Sequence, residues 1–171
     1  TGDGAKMAAF HHALKETGFV DGQNVAVEYR WAEGKVDRLP ALAADLAHRQ
    51  VSVIVAINYP GALAAKFATS SIPVVFTSGV DPIQGGLVDS FNRPKGNITG
   101  VYQFTTALQS KRLEILRELA AKSDVIAMLV NPTNSTVGIE IADIQNAAYT
   151  IGKQVQILKA SSVLEIDTAF A

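Results

Sequence analysis

The chain has 171 residues, of which 48% are hydrophobic and 18% charged, a balance that builds a buried core and excludes a disordered chain. Fifteen basic residues stand against sixteen acidic ones, with a formal charge of -1 and no basic block, which argues against nucleic acid or an anionic membrane surface as a partner. There is no cysteine, so disulfides, thiolate metal sites and cysteine nucleophiles are excluded. The length suits one domain, or one domain and part of another. No apolar run approaches the roughly 20 residues a membrane span requires.

In chain order, Met7, Phe10, Ala13, Leu14 and Thr17 recur at helical spacing over residues 4–17, and Gly18 ends the run. Val25, Val27, Tyr29 and Trp31 alternate with other residues, which predicts a strand over 25–31. Asp37 is placed to cap the next helix, with Pro40 in its first turn and Leu39, Leu42, Ala43, Leu46 and Ala47 as its buried stripe. Val51 to Ile57 is a continuous apolar run, as expected of a parallel strand covered on both faces. Pro60 starts a helix of small residues, and Ile72 to Phe76 gives the next strand.

That strand breaks abruptly into Thr77-Ser78-Gly79-Val80-Asp81-Pro82. Such a change marks the carboxyl edge of a parallel sheet, handing over to a short helix near Pro82 and leaving backbone amides free to face a ligand. Asn97 to Val101 reads as a further short strand and an exit from the first domain.

The pattern then restarts. Leu108, Ile115, Leu116 and Leu119 mark a long amphipathic helix, and Val125 to Val130 a second apolar strand ending in Asn131-Pro132-Thr133-Asn134. Val137, Ile141, Ile144, Ala148 and Ile151 form a helical stripe, followed by a strand from Gln154 to Leu158 and a helix from Val163 to Phe170.

Alternating helices and strands predict an α/β fold with two Rossmann-like, doubly wound parallel sheets. The boundary falls near residues 102–106, giving a first lobe of 1–102 and a second of 103–171. In a 2-1-3-4-5 sheet, an opening strand lies between those at 25–31 and 52–57, and none precedes the first helix. Those two strands would face a gap with unpaired backbone groups. The chain is therefore expected to be incomplete at both ends, or to take that strand from elsewhere. Thr1-Gly2-Asp3-Gly4 resembles no leader, so an exported protein is expected to have lost its signal.

Several separated stretches resemble one family. They are Leu14-Lys15-Glu16-Thr17-Gly18-Phe19-Val20-Asp21-Gly22, Glu28-Tyr29-Arg30-Trp31-Ala32-Glu33-Gly34, and Asp37-Arg38-Leu39-Pro40-Ala41-Leu42. Asp81-Pro82, Gly86-Leu87-Val88, Asn92-Arg93-Pro94, Gly96-Asn97-Ile98-Thr99-Gly100 and Leu129-Val130-Asn131-Pro132 continue the match. Together they resemble the ABC-transporter substrate-binding proteins related to tryptophan/tyrosine-type uptake receptors. The resemblance implies a two-lobed type I periplasmic-binding-protein fold that closes on a small solute, an amino acid or similar small carboxylate. It further implies a membrane permease as partner and a periplasmic or extracytoplasmic location, free or lipid-anchored.

The candidate ligand residues cluster at strand ends. Thr77, Ser78, Gly79 and Asp81 offer hydroxyls, amides and a carboxylate at one edge; Asp81 either meets a ligand ammonium or caps the helix expected to follow. Asn58 and Tyr59 follow the strand at 51–57, where the resemblance implies small residues, and either set solute selectivity or form a plain turn. Tyr102 and Gln103 lie where the chain leaves the first lobe, as hinge or cleft wall. Asn131 and Asn134 occupy the matching strand end of the second lobe, although Asn-Pro is also a turn signal.

His11 and His12 diverge by about 100° on a helix and form no chelating pair. No nucleophile elbow, P-loop or dinucleotide fingerprint is present, so no cofactor, metal or enzymatic activity is expected. The reading is a solute receptor. A ligand-sensing regulatory module of the same fold is the alternative, and a Rossmann-like enzyme a distant third.

Overall fold

The computed structural model describes residues 2–105, 108–120, 123–134 and 136–170. They form two compact units, one ending at Trp31 and the other beginning at Ala32.

The first unit opens with α1 (Gly2–Glu16), whose last turn carries Lys15 beside the negative end of the helix dipole. Gly18, at φ 87°, lets the chain reverse into a left-handed turn, and the Phe19 amide donates to the Leu14 carbonyl at 2.9 Å. Asn24 ties the turn: its Oδ1 accepts from the Val20 amide at 2.7 Å and its Nδ2 donates to the Gly18 carbonyl at 2.8 Å. The strand expected over 25–31 does not form. Its ladder is reduced to one isolated bridge between Asp21 and Val25. Alternation determines which side chains share a face, but a strand needs a neighbour, and no described residue of this unit supplies one. The shared face survives locally, with the Tyr29 and Trp31 rings 6.1 Å apart and within 6° of parallel.

The second unit begins with a single 3-10 turn at Val36–Arg38, which leads into α2 (Leu39–His48). Asp37 therefore does not cap α2 as expected: it lies inside the 3-10 turn, and the residue before the helix is Arg38, with no capping side-chain bond. Pro40 does sit in the first turn, where its missing N–H costs nothing.

Three parallel strands follow, β1 (Ile54–Ile57), β2 (Val74–Ser78) and β3 (Ile98–Tyr102), in the order β1-β2-β3, with α3 (Tyr59–Ala68) crossing from β1 to β2. Register aligns Ile54, Val74 and Ile98, then Ala56, Phe76 and Gly100, across the sheet. These rows, apart from the glycine, form the core with Ala62 and Ala65 of α3 and with Leu87 and Val88. The small α3 residues are fully buried and let the helix backbone approach the sheet closely.

The sheet is not covered on both faces. On its other side Val55 remains 42% exposed, Val75 40% and Val101 61%. An apolar run cannot say which stretch of chain supplies the second covering layer.

The remaining elements are α4 (Gln109–Leu119), β4 (Val125–Val130), α5 (Val137–Thr150), β5 (Gln154–Lys159) and α6 (Val163–Ala169). β4 and β5 pair in parallel as a second sheet. Leu113, Ile144 and Ala148 form its core, backed by Ile126, Met128, Val155 and Ile157. The expected boundary at 102–106 falls within the second compact unit, and its last residue, Thr106, lies outside the described ones.

Candidate functional site

Parallel strands all end at one edge, so Ile57, Ser78 and Tyr102 deliver three loops to the same side of the first sheet. The polar side chains expected at this edge are largely engaged in shaping those loops.

Asn58 is the N-cap of α3, its Oδ1 accepting from the Gly61 amide at 2.8 Å. Tyr59, the first helical residue, is half-buried, and its hydroxyl donates to the Gly85 carbonyl at 3.0 Å. Its ring covers Gly85 so closely that a Cβ there would lie 2.6 Å from Tyr59 Cε2. Two turns further along α3, Lys66 Nζ donates to the Gly86 carbonyl at 2.6 Å. Helix α3 thus holds the loop after β2 at two points.

That loop is not a helix. Residues 82–86 form successive turns, so the helix expected to start near Pro82 does not form and this loop contributes no helix dipole. The turns close on themselves instead. Asp81 Oδ1 accepts from the Ile83 amide at 2.8 Å and from Gln84 at 3.1 Å, and the Leu87 and Val88 amides both donate to the Pro82 carbonyl. Pro82 ends the possibility of a ladder, and buried Leu87 and Val88 draw the chain back to the core.

Ser78, 1% exposed, donates its hydroxyl to the Val80 carbonyl at 2.7 Å and accepts from the Val80 amide at 3.1 Å. Thr77 is half-buried on the opposite face of β2. The Gln103 amide donates to the Ser78 carbonyl at 2.8 Å, and Thr105 Oγ1 donates to the Gly79 carbonyl at 2.9 Å. Among the described residues, the amides of Gly79 and Asp81 donate to no protein acceptor. Tyr102 lies between two rings, 6.3 Å from Phe91 and 4.2 Å from Phe104. A shallow, open pocket beside it is walled by Phe76, Pro82, Phe91, Pro94 and Gly100.

Asn131 and Asn134 follow β4 and are exposed. Each forms a local turn: Asn131 Oδ1 accepts from the Thr133 amide at 3.0 Å, and Asn134 Oδ1 from Thr136 at 3.2 Å. The structure therefore groups Asn58, Tyr59, Thr77, Ser78, Gly79, Asp81, Tyr102 and Gln103 at one sheet edge. Asn131 and Asn134 lie at the other sheet's strand end, with no hydrogen bond joining the two groups among the described residues. Phe91, Phe104 and Thr105 are additions that the sequence reading missed. The i, i+2 spacing of Tyr102 and Phe104 was the available signal for one of them. Among the described residues, no group of three or more His, Asp or Glu side chains could hold a metal ion.

Parallel sheets with shaped loops at the carboxyl edge define a parallel α/β protein, a class in which that edge is the usual place for a ligand. The family model for ABC transporter substrate binding proteins matches residues 2–171, and the chain belongs to that family. A curated tyrosine-binding protein from Clostridioides difficile (strain R20291) is 27% identical over 162 residues, covering 95% of this chain and 46% of that protein.

Solved structures show the same fold. A conserved domain protein from Vibrio cholerae matches with TM-score 0.79 and 24% identity, over 93% of this chain and 53% of that one. An ABC domain from Streptococcus pneumoniae, in complex with L-Trp, matches with TM-score 0.74 and 22% identity over 92% and 52%. The ligand-free, open structure of a Clostridium difficile substrate binding protein with adhesive properties gives TM-score 0.61 and 26% identity over 96% and 55%. The chain thus spans about half the length of the relatives it matches.

Proposed function

We propose that the complete protein is the extracytoplasmic solute receptor of an ABC importer, and that it binds an amino acid without transforming it. The two unpaired amides of Gly79 and Asp81, at an edge where neighbouring polar side chains are already engaged, carry this reading. Backbone amides at the carboxyl edge of a parallel sheet suit a ligand carboxylate. Family membership supports the receptor role, and the tyrosine-binding relative supports an aromatic amino acid as ligand.

In this reading, Tyr102 and its aromatic neighbours face the ligand's ring, and Thr77 and Gln103 add polar contacts at the same edge. Asn58, Tyr59, Ser78 and Asp81 hold the loops in shape. Asn131 and Asn134 approach from the second lobe (103–171) when it closes on the first (1–102). The closed form then docks on a membrane permease. Among the described residues, no helix is long and apolar enough to cross a membrane.

Titration calorimetry of the complete protein against L-tyrosine, L-tryptophan, the other amino acids and small carboxylates tests the proposal. Saturable one-to-one binding of an amino acid is the expected result. A folded protein that binds nothing in this panel refutes it.

A further inference from the structure

The segment leaving β3 grips the loop after β2 at successive peptide units. A trans peptide points its C=O and N–H in opposite directions, so fixing one end aims the other. The Ser78 carbonyl accepts from the Gln103 amide at 2.8 Å, which directs the Gly79 amide away from the exit segment. The next carbonyl, that of Gly79, accepts from Thr105 Oγ1 at 2.9 Å, while the Val80 amide at the other end of that peptide is held by Ser78 Oγ at 3.1 Å. The Val80 carbonyl accepts from Ser78 Oγ at 2.7 Å, which aims the Asp81 amide away from the Ser78 hydroxyl. Every carbonyl in this run is held, while the amides of Gly79 and Asp81 remain unpaired among the described residues.

Two further observations show that the Thr105 contact is closely built. A Cβ on Gly79 would lie 2.2 Å from Thr105 Oγ1, so the approach requires glycine. Between the two gripping residues, Phe104 has φ 56°, a left-handed conformation that bulky side chains rarely adopt, with its ring 4.2 Å from Tyr102. The chain takes this conformation where the Gln103 amide and the Thr105 hydroxyl both reach the β2 loop.

We propose that Thr105 is a positioning residue for the ligand site. By holding the Gly79 carbonyl, its hydroxyl fixes the plane of the central peptide of the loop, the unit that links the two peptides carrying the open amides. The inference rests on the solute-receptor reading and assigns a determinant of affinity outside the ligand's own contacts.

Thr105→Val keeps the side-chain shape and removes the donor; Thr105→Ser keeps the donor. In the complete, ligand-free protein, hydrogen exchange of the Val80 amide, the hydrogen-bonded amide of this run, is expected to rise about fivefold or more in Thr105→Val and to stay near wild type in Thr105→Ser. Titration with L-tyrosine is expected to show the matching pattern, about fivefold weaker for Val and restored by Ser. Wild-type exchange and affinity in Thr105→Val overturn the proposal, as do equal losses in both variants, which assign the effect to shape alone. If the wild type binds no amino acid, the receptor reading falls by itself, and the exchange comparison still decides whether Thr105 orders the loop.

Discussion

Asp81 has one of two duties, which differ by about two orders of magnitude in their effect on binding. Its Oδ1 accepts from the Ile83 and Gln84 amides, and we expect this bracing to be its whole role. Losing a side-chain cap of this kind costs about 1 kcal/mol, within a range of about 0.5–2. The loop has other supports: the Gly85 amide donates to the Asp81 carbonyl at 2.8 Å, and Tyr59 and Lys66 hold Gly85 and Gly86. Asp81→Ala should therefore loosen the turn without melting it and weaken ligand binding by about fivefold, the equivalent of about 1 kcal/mol.

Asp81→Asn keeps an acceptor oxygen in the same place and should bind within about threefold of wild type. A carboxylate that instead met a ligand ammonium away from water would lose about 3–5 kcal/mol on neutralisation, more than about a hundredfold. Titration calorimetry of both variants in the complete protein distinguishes the cases. A loss of about fiftyfold or more in Asp81→Asn, with thermal stability unchanged, would sink the bracing argument.

Gly100→Ala would place a Cβ 2.2 Å from the Phe76 carbonyl oxygen and 2.6 Å from its ring, in a core where Phe76 is 2% exposed. Overpacking against a backbone atom should cost about 3 kcal/mol and lower the melting temperature by about 6 °C or more, so a calorimetric scan showing no shift would contradict the close contact. Tyr59→Phe leaves the Gly85 carbonyl without its donor and should cost about 1 kcal/mol, read as a lower urea midpoint with unchanged slope; an unchanged midpoint would mean the bond contributes nothing. Asp143 has its carboxyl pKa raised from 3.8, first by burial and then by the nearby Glu140. The folded state then holds more protons than the unfolded one through the window above 3.8, so stability falls as pH rises through it. Asp143→Asn should be the more stable protein at neutral pH and lose that advantage in acid; parallel urea midpoints across the range would refute the assignment.

Much of the fold was legible because periodicity reports the covering environment of each segment. The helices at α1, α2, α3, α4 and α5, and the strands β2 to β5, fall where the spacing of apolar residues places them. The errors share one physical source: a strand is a relation between segments. Val25 to Trp31 has the right alternation and no ladder, because no neighbour lies within its unit. Val55 and Val75 look like residues buried from both sides, yet they remain exposed, because composition names a surface to be covered and not the element that covers it. Pro73 explains a smaller shift. Its carbonyl accepts from the Ile54 amide but it has no N–H to donate, and β2 begins one residue later, at Val74.

The site was legible at the level of loops and not of side-chain duties. Parallel strands share a carboxyl edge, so the loops starting at Asn58, Gly79 and Gln103 had to meet once the strands were placed. Whether a polar side chain there faces a ligand or its own backbone leaves no trace in composition. Asn58, Tyr59, Ser78 and Asp81 all bond to backbone, and one of the side-chain contacts that join two loops comes from Thr105, which no motif singled out. Such a division of labour has a physical logic. Carbonyls at a sheet edge repel a carboxylate, so turning them inward onto hydroxyls and amides leaves donors facing outward, at the one place where the proposed ligand's negative charge needs them.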